Sequence, residues 1–341
     1  MGVLRLAIGV ALVCVVLRTF VALGIINPVV VVGSSMAPGL AEGDRVVVDR
    51  ASIAWRSLQR WERVVTRSPD DARRLAIKRV VGLPGERIEF RQGDLWVDGK
   101  IVRKSLAEQL AMRVLVHRQT PSDDRWRKLD TDPQSQIYRH PGDGVLRDEL
   151  AINRLVSRRL NAVADLMLTC QVEPPTDLPW QAELAAAGKS LQLRLAAETW
   201  RVTLDSPAGR VARGGKLPLN SGGKRIAVVL SLFDRQALVA LNEQPLVELP
   251  TPGDSTPQHA SPPRLVTPAA GTHELAVWRD VYYEQRPIDL APADPAGGWR
   301  LGADRWFLVG DNQAISHDSR SWRTGRAGVP GRLLMGRAAA N

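Results

Sequence analysis

The sequence predicts a mainly β protein that begins with one apolar segment, and three features point that way. Short β-branched or alternating runs recur along most of the chain. Glycine (28) and proline (23) punctuate them at close intervals, and no sustained heptad of helix formers competes. At 341 residues the chain has room for two or three domains and a sizeable core.

The N-terminal segment reads "LAIGVALVCVVL" from Leu6, then Arg18, then "TFVALGII" to Ile26. At about 1.5 Å per residue, residues 6–26 span about 30 Å, one hydrocarbon core. Arg18 is tolerable near an interface, where a long side chain snorkels. Ala22-Leu23-Gly24 offers a small-x-small site for the alternative, a cleaved leader. Arg5 and the amino group favour a cytoplasmic N-terminus, and no second spanning segment follows, so residues 27–341 are expected on one side of the bilayer. Cys14 lies in this segment and Cys170 in mid-chain, so a disulfide between them is not expected.

After the anchor, "NPVVVV" and "RVVVD" flank a turn at Glu42-Gly43-Asp44. "ERVVTR" (62–67) is a further short strand. "LAIKRVVGLPGERIEF" (75–90) places β-rich sequence on both sides of Gly82-Leu83-Pro84-Gly85. "DLWVDGKIV" (94–102) is a hairpin about Asp98-Gly99, a dipeptide suited to a type I′ turn. From about 105 the character changes. Residues 117–147 are polar and read as loop or linker, and 145–160 fit neither helix nor strand clearly. From 163 to about 250 strand-like runs return, with Gly214-Gly215 and Gly222-Gly223 as turn signals. Residues 250–271 are proline-rich and read as an extended linker. Strand-like sequence resumes at "HELAVWRDVYY" (273–283), and no internal repeat is visible.

The composition, 44% hydrophobic and 24% charged, is that of a globular protein, and the net charge of +10 is carried mostly by arginine. Zinc-ligand spacing, a helix-turn-helix signal and an RNP-like aromatic run are all missing, which argues against a nucleic-acid partner. Anionic lipid headgroups are the expected counter-charge. No metal or other cofactor is expected.

Candidate chemistry starts at "VVGSSMAPGL" (31–40). A serine hydroxyl needs a base before it can attack. Of the five histidines, only His317 adjoins an aspartate, Asp318. A Ser35–His317–Asp arrangement is one alternative, but neighbours on a strand point to opposite faces, so Asp318 is poorly placed to orient His317. Lysine is the other possible base. An unperturbed lysine is neutral only about once in 2,500 at pH 7, so it must be buried in apolar surroundings. Lys78, in "LAIKRVVGL", has such a setting. Alone it also reads as an edge-strand guard. Two rival motifs fail on their residues. Ser221-Gly222-Gly223-Lys224 has the S-x-x-K spacing, but its two glycines oppose the helix start that motif needs. Gly188-Lys189-Ser190 ends like a phosphate loop, yet Glu183 stands where that loop needs glycine.

Three stretches occurring together resemble the signature boxes of bacterial type I signal peptidases. They are "GSSMAPGL" (33–40), "IKRVVGLPGERI" (77–88) and "VGDNQAISHDSRSW" (309–322), in the family's order and after an apolar anchor. "VLRTF" (16–20) resembles the segment between anchor and first box. The resemblance covers roughly residues 1–104 and 273–341. It implies a signal-peptidase-like β catalytic domain with one N-terminal transmembrane helix. Ser35, just before Met36, matches the nucleophile, and Lys78, just before Arg79, matches the general base. Ser316 matches a residue that orients the lysine, and Asp318 and Arg320 match a buried ion pair. Gly310, Asp311 and Asn312 match the structural opening of the last box. Departures are Gly33 where a hydroxyl residue often supplies an oxyanion donor, Gly39 where threonine is common, and "RWERVV" (60–65) without the usual Gly-Asp.

The resulting expectation is an anchor at 1–26, a catalytic domain in two parts (27–104 and 272–341) and an inserted domain at 105–271. A β-sandwich, jelly-roll-like, is expected within the insertion from about 163, with a rhythm similar to concanavalin or laminin G modules. Functionally, the resemblance implies a membrane-anchored serine endopeptidase that removes signal peptides from exported preproteins. It would sit in the bacterial plasma membrane as a single-pass protein, its catalytic domain on the outer, periplasmic or extracellular, face. The partners implied are preprotein signal peptides and membrane lipid; the insertion would bind an unknown partner or glycan, or act as a spacer. A catalytically silent anchored binding module on the same frame is the alternative from another class.

Overall fold

The computed structural model describes residues 26–175, 178–217, 225–251, 261–286, 289, 297–324 and 328–340, together with eight helical positions between Gly2 and Val15. The expected membrane span, Cys14, Arg18, Ala22-Leu23-Gly24, His259 and the Ser221–Lys224 motif lie largely or wholly outside them. Among the described residues no helix is long and apolar enough to cross a membrane.

The chain is mainly β, as expected. One seven-stranded antiparallel sheet runs in the order Ile26–Val30, Arg45–Asp49, Leu334–Ala340, Arg63–Arg67, Leu75–Gly82, Arg305–Val309, Val329–Pro330. Its strands come from both ends of the sequence, because the apolar C-terminal run fits between Arg45–Asp49 and Arg63–Arg67. Met36, Leu40, Val46, Val48, Val65 and Ala338 form one of its cores, and Val64, Val80, Leu308, Trp322 and Val329 another. A four-stranded sheet (Trp299–Arg300, Arg87–Arg91, Asp94–Val97, Lys100–Ile101) lies beside it. The predicted hairpin is present: Val97 pairs Lys100, and Asp98 and Gly99 both take positive φ, as a type I′ turn demands.

Two further sheets pack face to face. The first orders Gly209–Lys216, Thr199–Ser206, Lys189–Leu195, Trp180–Ala186, Arg264–Pro268, Asp132–Tyr138 and Trp126–Leu129. The second orders Gln244–Pro250, Gln236–Leu241, Ile226–Ser231, Leu166–Val172, Thr272–Arg279 and Val114–Arg118. Alternate residues of both, among them Leu184, Leu191, Leu193, Leu204, Leu265, Leu168, Val228, Leu230 and Val277, share one core.

Several local expectations need correction. Residues 117–147 are not a linker: Trp126–Leu129 and Asp132–Tyr138 lie there and complete one of the packed sheets, just after Val114–Arg118 completes the other. Their period was hidden by charged outward positions, as where Trp126 is buried beside exposed Arg127 and Lys128. The proline-rich stretch holds the interior strand Arg264–Pro268, which buries Leu265 and Thr267. Thr272–Arg279, grouped on sequence with the C-terminal part, pairs with Leu166–Val172 and Val114–Arg118 instead. Gly214 and Gly215 are mid-strand rather than a turn. A Cβ on Gly215 would stand 3.1 Å from the Trp200 ring, so glycine makes room for the indole. The helix Leu106–Met112 was missed, although Ser105 and Glu108 form a capping box legible in the sequence. Within 145–160 the regular structure is one 3-10 turn, Ala151–Asn153. Gly188-Lys189-Ser190 is a hairpin corner, with Ala187 and Gly188 at positive φ between paired strands.

Candidate active site

Ser35 sits in the turn that joins the first two strands. Val31 N donates to Asp44 O and Gly43 N to Val31 O, so strand pairing closes the base of this loop. Gly33 takes φ +79°, a conformation costly for other residues, and Ala37 N donates back to Ser34 O. Met36 is buried beneath the turn against Leu40 and Val46, leaving the neighbouring Ser35 side chain partly exposed. The asymmetry comes from adjacent residues in a turn facing opposite ways.

Lys78 lies midway along Leu75–Gly82, directly opposite Val64 on the adjacent strand. Only 3% of it is exposed. Its Nζ is 2.8 Å from Ser35 Oγ, bringing together residues 43 apart in sequence. Burial pushes the amine down to about 8, against the opposing pull of Asp318 and with help from Arg320. At that value roughly one amine in ten is neutral at pH 7, against about one in 2,500 for an exposed lysine.

The loop after Arg305–Val309 closes the site. Asp318 and Arg320 are fully buried and pair through two bonds, Arg320 Nε to Oδ1 (2.9 Å) and Nη2 to Oδ2 (2.8 Å). Gly310 N also donates to Asp318 Oδ2 (3.0 Å), and the Arg320 guanidinium helps hold the carboxyl well below the usual carboxylate range. Arg79, next to Lys78, makes a second two-bond pair with Asp311 (2.6 and 2.5 Å) and donates to Trp61 O. Asn312 N donates to Ser35 O (3.0 Å), and its Nδ2 to Ser34 O (3.1 Å). Gly310 fits where no side chain would: a Cβ there would meet Ser316 Oγ at 2.3 Å and Ser35 O at 2.4 Å. Ser316 is buried, its hydroxyl has no hydrogen bond of good geometry, and it lies close enough to Asp318 to favour the charged carboxylate.

The eleven residues singled out on sequence thus fall in one turn, the middle of Leu75–Gly82 and the loop after Arg305–Val309, whereas His317 turns away from them. Its side chain is 63% exposed, Nδ1 shares a hydrogen bond with Ser321 Oγ, and Nε2 lies 3.9 Å from Asp70. Asp318 points inward and is committed to Arg320. The Ser35–His317–Asp318 alternative is overturned, though not by strand alternation: both residues lie in a loop, where His317 turns out to Ser321 and Asp318 turns in to Arg320.

Sequence reasoning missed three polar residues. Gln313 accepts from Arg320 Nη1 (2.7 Å) and donates to Gly310 O (2.6 Å). Arg286 is held by Asp289 and donates to the carbonyls of Ala314 and Ser316. Asn153, from mid-chain, exchanges hydrogen bonds with Asn312. Gln313 at least stood inside a quoted box; nothing in the sequence marked the other two.

One group of carboxylates, Asp94, Asp165 and Asp234, brings its oxygens within 4.8 Å of one another. Asp94 and Asp234 are engaged by cations, and Asp165 accepts from the Asp234 backbone N–H (2.8 Å). Lys104 Nζ is 2.6 Å from Asp234 and 2.8 Å from Asp280, and Arg235 is 2.9 Å from Asp94. This is an internal ion network rather than a metal cradle.

Residues 3–140 match the family model described as "Signal peptidase, peptidase S26". The chain is 36% identical over 78 residues to signal peptidase I V of Bacillus subtilis, covering 23% of this chain and 45% of that one. It is 35% identical over 78 residues to signal peptidase IB of Staphylococcus aureus, covering 22% and 39%. An inactive signal peptidase IA of S. aureus is 28% identical over 115 residues, covering 34% and 59%. The chain therefore spans less than two thirds of the length of these relatives. Solved structures similar in shape include mouse laminin α1 domains LG4-5 (15% identity, 34% of each chain, TM-score 0.24). The Caenorhabditis elegans galectin LEC-6 is another (11% identity, 34% of this chain and 82% of that one, TM-score 0.25). At such scores they support nothing about ligand or role. With the three boxes, these matches make residues 3–140 similar to peptidases of the S26 type. Among those peptidases, the relatives matched are type I signal peptidases.

Proposed function

We propose that this protein is a membrane-anchored serine endopeptidase that cleaves signal peptides from exported preproteins with a Ser35–Lys78 dyad. The observation that carries the reading is the buried Lys78 amine, 2.8 Å from Ser35 Oγ and depressed to about 8. Neutral Lys78 takes the proton as Ser35 Oγ attacks the scissile carbonyl, then returns it to the leaving amine. An acyl ester on Ser35 remains, and water attacks it with Lys78 again acting as base. The Ser35 backbone N–H serves the oxyanion, and Gly33 leaves the substrate close access. Buried Ser316, with a hydroxyl to offer, is the orienting partner for the lysine.

An extended substrate segment adds beside Lys78. The pairing supports this: Val309 opposite Arg79 is the last contact with Arg305–Val309, so among the described residues Leu75–Lys78 have no strand on that side. Small pockets at −1 and −3 take residues such as alanine. In this reading residues 1–26 are the transmembrane anchor in the bacterial plasma membrane, and the catalytic domain lies on the outer face. Exposed Val30 and Leu75 on this sheet, Val32 in the serine turn and Trp55 in the short helix Ser52–Trp55 are suited to a lipid surface. The two packed sheets form the inserted domain, a spacer or a platform for a partner or glycan.

Purified full chain, wild type and Lys78→Ala, incubated with a model preprotein tests the reading. The wild type releases mature protein and the variant does not. A wild type that cleaves nothing while folded would favour the catalytically silent binding module; the inactive relative is the observation that keeps this second reading in view.

A further inference from the structure

Asn153 ends the 3-10 turn Ala151–Asn153, in the stretch between Asp132–Tyr138 and Leu166–Val172. It is buried, and Asn312 is wholly so. Asn153 Nδ2 donates to Asn312 Oδ1 (2.7 Å), and Asn312 Nδ2 donates back to Asn153 Oδ1 (3.0 Å). Asn312 Nδ2 also donates to Ser34 O, and Asn312 N to Ser35 O. The two carbonyls either side of the Ser35 Cα are therefore both held by Asn312. Ser34 O, which also accepts from Ala37 N, takes Nδ2 of Asn312 as a second donor, so the carboxamide turns its Oδ1 the other way. There Asn153 supplies its donor. Without it, a buried Oδ1 has no donor, and the carboxamide loses the contact that fixes its orientation.

The same stretch has a second foothold. Asn161 Nδ2 donates to Glu284 Oε2 (2.7 Å), and the Glu284 carbonyl accepts from Arg320 Nη1 (2.9 Å). Asn153 is thus presented from a segment tied down at both ends of the catalytic loop.

The geometry points to Asn153 as a positioning residue for Ser35, contributed by the middle of the chain and acting through Asn312. This rests on the Ser35–Lys78 reading. It makes residues 145–163 a strap across the site, so the insertion is not a passive spacer.

The test is cleavage kinetics of the full chain on a model preprotein, with circular dichroism at the assay temperature to verify folding. Asn153→Ala lowers kcat about ten- to a hundredfold. It leaves KM within about twofold and the acid limb of kcat unmoved, because Lys78 keeps its surroundings. In an Asn312→Ala background the same change costs nothing further; Asn312→Asp, which keeps the shape but loses the donor to Ser34 O, replaces it if that background does not fold. Wild-type cleavage with Asn153→Ala unchanged overturns the positioning role, as do losses that multiply in the double variant. A folded wild type that cleaves nothing overturns the parent reading, and this one with it.

Discussion

Lys78 Nζ and Ser35 Oγ share a 2.8 Å hydrogen bond, although one lies in a strand and the other in a turn 43 residues earlier. The contact exists because Leu75–Gly82 is interior to its sheet and Met36 pins the turn from below. Each prediction below perturbs one part of that arrangement.

In the proposed dyad, replacing Lys78 removes proton transfer and leaves the Ser35 hydroxyl in place. Lys78→Ala is expected to cut preprotein cleavage by roughly 10²–10⁴-fold. Lys78→Arg does no better, since a guanidinium stays charged. A gel-based processing assay reads both; appreciable cleavage by Lys78→Arg would remove the need for a neutral amine.

The pH profile follows from the direction of the lysine shift. Activity is expected to rise with pH through about 8, where half of the Lys78 amines are neutral, and to level off above that. Stability carries the same sign. The folded value is depressed below the ordinary 10.5, so between about 8 and 10.5 the unfolded chain binds more protons and Lys78 contributes rising stability. Lys78→Met should therefore melt higher than wild type at pH 7, with the gap closing towards pH 10. A gap that widens instead would contradict the assignment.

Arg320 matters through Asp318. Arg320→Leu leaves a buried carboxylate without its ion pair, a loss of about 3–5 kcal/mol in denaturant unfolding. The freed negative charge also favours protonated Lys78, so the acid limb of activity moves to higher pH. An acid limb that stays put would show that the pair only braces the loop.

Gly310 tolerates no side chain. Gly310→Ala places a Cβ 2.3 Å from Ser316 Oγ and 2.4 Å from Ser35 O, so turn and loop must part. Activity should fall by at least about tenfold, with a lowered melting temperature. Wild-type kinetics would mean the loop yields freely there.

His317 gives the contrasting case. It is exposed and bonded to Ser321, so His317→Ala should leave cleavage within about twofold of wild type. A large loss in the same assay would return histidine to the mechanism.

The legible parts of the fold were those with local causes. Val46 and Val48 announce a strand by alternation, Asp98-Gly99 a hairpin by its tolerance of positive φ, and Ser35, Lys78 and Asp318 a site by their boxes. Trp126–Leu129 and Arg264–Pro268 were read as linker because charge and proline outweighed a short alternation. What they needed was knowledge of their neighbours: Ile137 opposite Arg127, and Leu184 opposite Leu265.

By itself the sequence determined the β character, the likeness to signal peptidases and which serine and lysine to watch, since each follows from residue type at short spacing. Tertiary structure alone decided that His317 faces outward, that Arg286 clamps the carbonyls of Ala314 and Ser316, and that Asn153 reaches Asn312 from mid-chain. Those contacts join residues far apart in the chain. A buried carboxamide or guanidinium takes whichever donor or acceptor the packed sheets bring within 3 Å, and no local pattern encodes that choice.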